Sequence, residues 1–505
     1  MKTFFNHEYE PLSIVEQLII SIEYTIMQKP NWRQKIYQEE VNKFIRRLFS
    51  ELVAEKIKWY QERIIRKWLA ESIKSIDSKY DPENIFKYSL SELRWLAKQD
   101  FDRYLDGVWG SSELIDQDRL NRLQVLSKTL AERKPVDWHP HSNNQVRNLI
   151  HPSLYPLIRG ISRDQNGQVI PKLKVKKDRW RKDTVSEIYQ WLPAEVSVEK
   201  TGMVFTSKIN NYGQPDEIDP VLGQILFQML PLFELVLNDL ENRKDRIQNV
   251  GVEYKEGDKF SSAIEVYKKE EGDEFDSDDN EMWDVIDVIQ DDYYPLLEPI
   301  QPKVPDFVVQ KENESVLGKN LQVIVKMANI ELTPENPAYK GGSWHVEGME
   351  NEKIVATGIY YYDVENISTT KLAFRRAFEE SDISYEQDDR DGVQKIFGIT
   401  DDVLSVNALP SVEIKEGLAM VFPNTYQHLV EPFELEDKSK PGHRKILVFW
   451  LIDPSDRVFS TKDVLETPIS FDQALEHRLK LMAERSNHQD ENYGDRIREV
   501  SLCEH

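Results

Sequence analysis

One short run near the end of the chain constrains the fold more than any other feature. Residues 445–451 read Lys-Ile-Leu-Val-Phe-Trp-Leu. A continuous apolar run of this length, with β-branched and aromatic residues, is typical of a strand buried on both faces. Arg444 stands directly before it. Because a guanidinium on an interior strand has to be paired with an anion, the sequence predicts a central β-sheet with an anion-binding position on it.

Two histidines and one glutamate upstream of this run are spaced as a metal site requires. Alternate side chains of a strand share one face, so His345 and Glu347 point the same way and Val346 the other. His428 follows 81 residues after Glu347 and precedes Arg444 by 16. Two imidazoles and one carboxylate cover one face of an octahedron and leave three positions open. We therefore predict a metal site on His345, Glu347 and His428.

Glycine-led turns and apolar strands surround these residues. Residues 341–348 read Gly-Gly-Ser-Trp-His-Val-Glu-Gly and precede an alternating apolar run over 354–362. Residues 417–422 form a short apolar strand that a Pro-Asn break separates from His428. Together with Arg444 on a following strand, these segments resemble the cupin-type Fe(II)/2-oxoglutarate-dependent oxygenases.

That resemblance implies an α+β protein with a double-stranded β-helix core (a jelly-roll, cupin-like barrel) and buttressing helices. It implies Fe(II) on His345, Glu347 and His428, and the distal carboxylate of the co-substrate 2-oxoglutarate on Arg444. A guanidinium suits this carboxylate because it can donate two parallel hydrogen bonds. Glu347 departs from the family's pattern, in which aspartate is commoner at that position.

A second resemblance covers more of the chain, from about Leu114 to Pro454. It is carried by residues 151–157, 190–193, 209–211, 341–348 and 442–444. These stretches look like those of a large, mainly fungal family of uncharacterised proteins. This second resemblance implies no activity of its own.

The resemblance to the oxygenases implies a dioxygenase that oxidises an unidentified small molecule, with succinate and CO₂ as co-products. Two other functional classes stay open. A 2-oxoglutarate-dependent protein hydroxylase would share the metal site but act on a polypeptide. A non-catalytic cupin-like scaffold would instead bind partners through an acidic insert and its helical surface.

Five residues are candidates for contacting the substrate, each with a simpler structural alternative. Arg375 and Arg376 follow the strand pair and can bind a carboxylate, although exposed arginine pairs are common. Tyr360 and Tyr362 share one face of a strand, opposite to the tyrosine between them, and core packing is the alternative for both. Asn424 can line the site or simply form a turn.

Charge and cysteine content limit the class of protein. The chain carries 65 basic and 89 acidic residues, a net charge of −24, which disfavours binding to nucleic acid or anionic membranes. Its single cysteine, Cys503, cannot form an intramolecular disulfide.

The N-terminus lacks the apolar core of a signal peptide, and no uninterrupted apolar run of membrane-spanning length occurs. We expect a cytoplasmic or nuclear protein with a small-molecule substrate; the pattern gives no oligomeric state.

Changes in composition divide the chain into five regions. The acidic stretch over residues 270–284 and the prolines that follow it mark a break before the predicted core. The regions are a helical N-terminal part (1–134), a mixed segment with a long buttress helix (135–250), an acidic insert with a Pro-rich connector (251–307), the catalytic core (308–460), and a C-terminal helix and tail (461–505).

Overall fold

The computed structural model describes residues 82–496 apart from gaps, the longest of which are 175–183, 243–250, 273–281, 301–314, 378–383 and 401–405. The helices are α1 (Pro82–Leu96), α2 (Gln117–Ala131), α3 (Pro220–Asn242), α4 (Lys259–Glu271), α5 (Met282–Val288), α6 (Arg390–Phe397) and α7 (Phe471–Arg496). The strands are β1 (Asp102–Leu105), β2 (Val108–Ser111), β3 (Asp137–Trp138), β4 (Val146–Ile150), β5 (Leu157–Ile158), β6 (Tyr189–Gln190), β7 (Ala194–Glu199), β8 (Gly202–Phe205), β9 (Asn320–Leu332), β10 (Ala338–Tyr339), β11 (Ile354–Glu365), β12 (Thr370–Ala377), β13 (Val406–Ile414), β14 (Ala419–Pro423), β15 (Gln427–Val430), β16 (Phe433–Glu434) and β17 (Gly442–Ile452). The protein is therefore a mixed α+β protein with antiparallel sheets.

A ten-stranded antiparallel sheet forms the centre of the molecule. Its main path is β1-β2-β14-β11-β17-β9-β4-β3, and β7 and β8 attach beside β9. Strand β17 contains the apolar run 445–451 and pairs with β11 on one side and β9 on the other. The predicted interior strand is thus confirmed, and alternation along it sends Arg444, Val448 and Trp450 to one face and Leu447 and Phe449 to the other.

A smaller sheet, with the order β13-β12-β15, lies against one face of the central sheet. The two sheets share one apolar cluster, which contains Leu372, Phe374 and Val412 of the small sheet beside Ile324 and Trp450 of the central one. We call the central sheet's surface within this cluster its inner face. Helix α7 reaches the same cluster through a fully buried leucine, Leu481.

Helices α2 and α3 cover the opposite, outer face of the central sheet. Phe233 of α3 packs directly on Gly358 of β11, where an added Cβ would lie 2.6 Å from the phenyl ring. By length and composition the segment Pro220–Glu241 of α3 could also cross a membrane, but 56% of its most apolar part is buried in the protein. Burial of this kind is what a core helix requires.

Several sequence-based boundaries are corrected by the structure. Residues 102–111 were expected to be helical but form the hairpin β1-β2, which joins the central sheet through β14. Strands β3, β4, β7 and β8 also belong to this sheet, so it extends beyond residues 308–460. Both ends of the acidic stretch 270–284 are helical, in α4 and α5. The predicted helices before residue 82 lie outside the described residues.

Candidate metal centre

The backbone brings His345 and His428 together. Each donates its N–H to the other's carbonyl, at 3.2 and 2.9 Å, which makes them a hydrogen-bonded antiparallel pair. Their rings therefore project from the same side, with centroids 4.3 Å apart. His428 lies on β15, whereas His345 lies on an extended segment that makes only this one bridge and not, as expected, on a full strand.

Asn424 and Gly348 fix the backbone at Glu347. The Asn424 Oδ1 accepts from the Glu347 N–H at 2.9 Å, and its Nδ2 donates to the carbonyls of Glu347 and Ile354 at 2.9 and 3.1 Å. Gly348 then turns the chain with a φ of 68°, and an added Cβ there would lie 2.5 Å from Glu352. A glycine is needed because an L side chain would be both strained and obstructed.

The three side chains converge on one point. The Glu347 Oε1 lies 3.8 Å from His345 Nε2 and 3.4 Å from His428 Nε2. The His345 Nδ1 lies 2.8 Å from the Ser343 carbonyl, so the neutral ring carries its proton on Nδ1 and leaves Nε2 as the ligating atom. Such a bond on the other ring nitrogen is how proteins orient metal-binding histidines.

Aromatic side chains set the orientation of the other histidine. The His428 ring lies 4.9 Å from the Phe422 ring and 6.4 Å from the Phe374 ring, between centroids. Its Nδ1 is buried and has no hydrogen-bond partner within the described part of the chain. The ring of His428 is therefore oriented by packing and by its contact with Glu347, whereas the ring of His345 is held by a hydrogen bond at its Nδ1.

Two of the three groups are in the form that binds metal at neutral pH. Burial raises the pKa of Glu347, but the hydrogen bond from His428 and the charges of His345 and Lys326 outweigh it and bring the pKa to about 2. Burial lowers the pKa of His345 to about 4, and His428 acts in the same direction. A carboxylate and a neutral imidazole are the species that coordinate a cation.

This donor set fits a divalent metal. The three ligand atoms lie within 4.8 Å of one another, so a small adjustment would place each at the usual distance of about 2.0–2.2 Å from one ion. Within the described residues, the triad is the one group of three or more histidine, cysteine, aspartate or glutamate side chains that could hold a metal ion. Its composition is that of the two-histidine, one-carboxylate facial set.

Arg444 is buried on the inner face of the central sheet. Its side chain is 1% exposed; Nη1 donates to Thr370 Oγ1 at 2.8 Å, and Nε is buried without a partner. The rings of Phe433 and Tyr361 lie 5.1 and 5.5 Å from its guanidinium carbon. No carboxylate of the described residues forms an ion pair with it. Burial accordingly lowers the pKa of Arg444.

The structure places two of the predicted substrate residues on the face of the sheet away from the metal triad. Tyr360 and Tyr362 lie in the outer-face cluster, and the Tyr362 hydroxyl donates to Ser127 of α2 at 2.8 Å, so both face away from the site. The inward tyrosine is the one between them. Alternation along β12 puts Arg375 on the face opposite to Phe374 and His428, where its guanidinium lies 4.6 Å from the Trp344 ring.

The other two candidates also differ from expectation. Asn424 uses its oxygen and its amide group on backbone atoms, so it positions Glu347 instead of binding substrate. Arg376 shares the face of Phe374 but lies at the end of β12, opposite Asn407 of β13. Of the predicted substrate residues, Arg376 is therefore the one that strand alternation places on the same face as Phe374 and His428.

Sequence reasoning missed Thr370 and Lys326. Thr370 has no distinguishing sequence signal, because a threonine at a strand end is ordinary. Lys326 does have one: it is the single charge within residues 321–330, an otherwise largely apolar run in β9. A lone charge at an inward position of such a strand indicates a specific role, because burying it is costly.

Solved structures similar to this chain are weak matches. They include the Fe(II)/(alpha)ketoglutarate-dependent dioxygenase TqaL (9% identity, 80% of this chain and 97% of that chain, TM-score 0.29) and IDO from Bacillus thuringiensis (13%, 26% and 46%, TM-score 0.17). EvdO2 from Micromonospora carbonacea var. aurantiaca, complexed with 2-oxoglutarate, matches with 13% identity over 26% of this chain and 52% of that one, at a TM-score of 0.14. The chain thus spans about half the length of the last two.

The sequence comparisons give a clearer result than the structural ones. No curated protein matches the chain. A family described as protein of unknown function (DUF4246) matches residues 83–466, well over half of the 505 residues. The chain therefore belongs to the DUF4246 family.

Proposed function

We propose that this protein is an Fe(II)/2-oxoglutarate-dependent dioxygenase built on a double-stranded β-helix. The β-helix would consist of strands β14-β11-β17-β9 facing β13-β12-β15 and the bridged segment at His345. The observation that carries the proposal is the combination of two sites on one inner face: the His345, Glu347 and His428 triad, and an enclosed Arg444 without a counter-ion in the described chain.

Each site has a separate task in this proposal. His345, Glu347 and His428 hold the iron on one face, and bound iron supplies the redox chemistry that couples O₂ and 2-oxoglutarate to oxidation of a substrate. Arg444 and the Thr370 hydroxyl bind the distal carboxylate of 2-oxoglutarate. The aromatic rings around Arg444 exclude water, which strengthens this ion pair.

Strand β12 contacts residues of both sites. Thr370, which contacts Arg444, and Phe374, which contacts His428, lie on the same face of this strand, four residues apart. The strand thus links the carboxylate pocket to the metal site. A dicarboxylate with one end at each site is the ligand class that this arrangement fits.

The test is an anaerobic titration of 2-oxoglutarate into Fe(II)-loaded protein. We expect a visible charge-transfer band that grows with 2-oxoglutarate and saturates at one equivalent per chain, followed by succinate release when O₂ is admitted. Succinate, titrated in place of 2-oxoglutarate, serves as the control because it has no keto group through which to chelate the iron. A wild-type protein that binds Fe(II) but develops no band would exclude this function and favour a non-catalytic scaffold.

The alternative of a protein hydroxylase differs only in the substrate. Slow succinate release without added substrate is expected in either case. A metabolite extract and a peptide mixture, assayed separately for accelerated succinate release, distinguish the two.

A further inference from the structure

Glu352 is a fully buried carboxylate five residues beyond the metal ligand Glu347. Its side chain is 0% exposed, and its Oε2 accepts from the Met349 N–H at 2.7 Å. The same oxygen lies against Gly348, where an added Cβ would be only 2.5 Å from it. Because Gly348 and Met349 directly follow Glu347, the Glu352 carboxylate fixes the turn that leads out of the metal ligand.

The C-terminal helix α7 supplies the positive charge that this buried carboxylate requires. Arg485 of α7 donates through Nη2 to Glu352 Oε1, across 133 residues of chain. The Arg485 side chain is itself 11% exposed, and no other cation of the described residues forms an ion pair with Glu352. Removing one partner of a buried ion pair leaves the other charge uncompensated. Glu352 therefore depends on Arg485 to stay in its place.

Trp191 contacts both members of this ion pair. Its backbone N–H also donates to Glu352 Oε1, and the Arg485 guanidinium carbon lies 3.8 Å from the centre of its ring. An arginine over the face of a tryptophan adds a cation–π attraction to the ion pair. The indole N–H donates in turn to Ser153 Oγ at 3.0 Å, which fixes the ring. The position of Arg485 is therefore set by the carboxylate and by the indole together.

A second set of hydrogen bonds attaches the same turn to α7. The Ser186 N–H donates to Asn351 Oδ1 at 3.0 Å, and the Ser186 hydroxyl donates to Glu484 Oε2 at 2.9 Å. Asn351 Nδ2 donates to the Tyr189 carbonyl, also at 3.0 Å. Helix α7 therefore reaches the turn through Ser186 at one residue and directly at the next.

Glu347 is the metal ligand that these contacts reach. Its own N–H and carbonyl are bonded to Asn424, which lies in the turn after β14. The two histidine ligands are instead paired with each other through their backbones. Asn424 thus holds the ligand at its own residue, and the Glu352–Arg485 pair holds the turn that follows it. Both contacts limit the positions that are open to the Glu347 carboxylate.

We propose that Arg485 and Glu352 are positioning residues for the metal ligand Glu347, so that attachment of the C-terminal helix is part of the metal site. Neither residue coordinates the ion. Glu352 shapes the turn beside the ligand, and Arg485 keeps Glu352 in place. The inference rests on the metal site of the proposed function, and it is independent of 2-oxoglutarate and of the substrate.

An ion pair that only stabilises the fold is the alternative, and α7 contains a matched control for it. Arg478, seven residues earlier on the same helix, pairs with Asp137 of β3 at 2.6 Å, and the two side chains are 5% and 14% exposed. Replacing either arginine by methionine should lower the melting temperature, because each change leaves a largely buried carboxylate without its partner. Only the change at Arg485 should affect the metal.

Anaerobic calorimetric titration of the full chain with Fe(II) measures this difference. Arg485→Met should weaken Fe(II) binding by about 10- to 100-fold, the usual cost of losing a group that orients a metal ligand. Arg485→Lys should recover part of the loss, since the charge remains while the planar group over Trp191 is removed. Arg478→Met should stay within about twofold of wild type, as expected for sites that share no partner.

Hydrogen exchange of the metal-free protein reports on the turn without iron. Arg485→Met should speed the exchange of the Met349 N–H, because its acceptor is the Glu352 carboxylate. Arg478→Met should leave this exchange as it is in wild type. Thermal melting confirms that each variant is folded at the temperature of both measurements. Should Arg485→Met not fold, Arg485→Gln takes its place, because the amide keeps a hydrogen-bond donor.

Four outcomes would overturn the proposal. They are an Fe(II) affinity of Arg485→Met equal to that of wild type, an equal loss of affinity in Arg485→Met and Arg478→Met, unchanged exchange of the Met349 N–H in Arg485→Met, and a wild type that binds no Fe(II). Failure of the proposed function gives a different result. If wild type binds Fe(II) but develops no band with 2-oxoglutarate, the oxygenase assignment fails, and the Fe(II) affinities of the arginine variants still decide the positioning role.

Discussion

The two faces of the central sheet are built from the same strands and yet do different things. On the outer face β9, β11 and β17 present aliphatic and aromatic side chains that helices α2 and α3 cover. On the inner face the same strands present Lys326, Tyr361 and Arg444, next to the metal triad. Strand alternation separates stability from chemistry, because each residue can contribute to one face only. Substitutions on the two faces should therefore have different consequences.

The largest expected effect is loss of metal binding in His428→Ala. Removing one of three protein ligands should weaken Fe(II) by more than about 100-fold, since changes to groups that merely support a ligand already cost about 10- to 100-fold. Tyr362→Phe on the outer face is the control and should bind Fe(II) as wild type does. Calorimetric Fe(II) titrations under anaerobic conditions measure both. An Fe(II) affinity of His428→Ala equal to that of wild type would show that the metal binds at another site.

Phe233→Ala tests the outer face. Phe233 is 2% exposed against Gly358, so its truncation should lower the free energy of unfolding by about 3–5 kcal/mol. Leu240→Ala, at a 38% exposed position of the same helix, should change it by less than about 1 kcal/mol. Urea denaturation gives these values. If the folded fraction of Phe233→Ala also lost Fe(II) affinity, the separation of the two faces would fail.

Arg444→Ala should weaken 2-oxoglutarate by roughly 30- to several-thousand-fold, because truncating one partner of a buried ion pair costs about 2–5 kcal/mol. Fe(II) affinity should barely change, since the three ligands are untouched. Arg444→Lys should recover part of the 2-oxoglutarate affinity, because the charge remains but the paired hydrogen bonds are lost. The charge-transfer titration reports all three variants, and unchanged 2-oxoglutarate affinity in Arg444→Ala would remove this residue from the site.

The smallest expected effect is a pH dependence of stability that originates at His139. The pKa of His139 is about 4 in the folded protein and about 6.5 when unfolded, so the unfolded state takes up the proton first. This contribution to stability is complete above pH 6.5 and is lost as the pH falls towards 4. Between pH 6.5 and 5.5 it should cost about 1 kcal/mol. The free energy of unfolding of His139→Gln should fall less steeply between pH 6.5 and 5.5 than that of His141→Gln, a control at an exposed position. Identical pH dependences of the two variants would contradict the prediction.

Local patterns made part of the site predictable. The run 445–451 identified the interior strand, and the spacing of His345, Glu347 and His428 selected three side chains that the structure brings together. The interior strand and the residue types of the triad were predictable because they depend on residue type and strand alternation, which are local properties. The orientations of Tyr360, Tyr362 and Arg375 could not be predicted, because the face that a strand turns to the interior depends on what packs against it.

By itself, the sequence determined which residues have the chemistry to bind a cation or an anion, and which segments have to be buried strands. The tertiary structure decided the rest. The register of β17 against β9 sets Lys326 about 13 Å from Arg444 along the strands, and the backbone pair at His345 and His428 closes a site across 83 residues of chain. Such relations depend on hydrogen-bond register and on sheet packing. Both are fixed by contacts between segments far apart in the chain, which no local pattern contains.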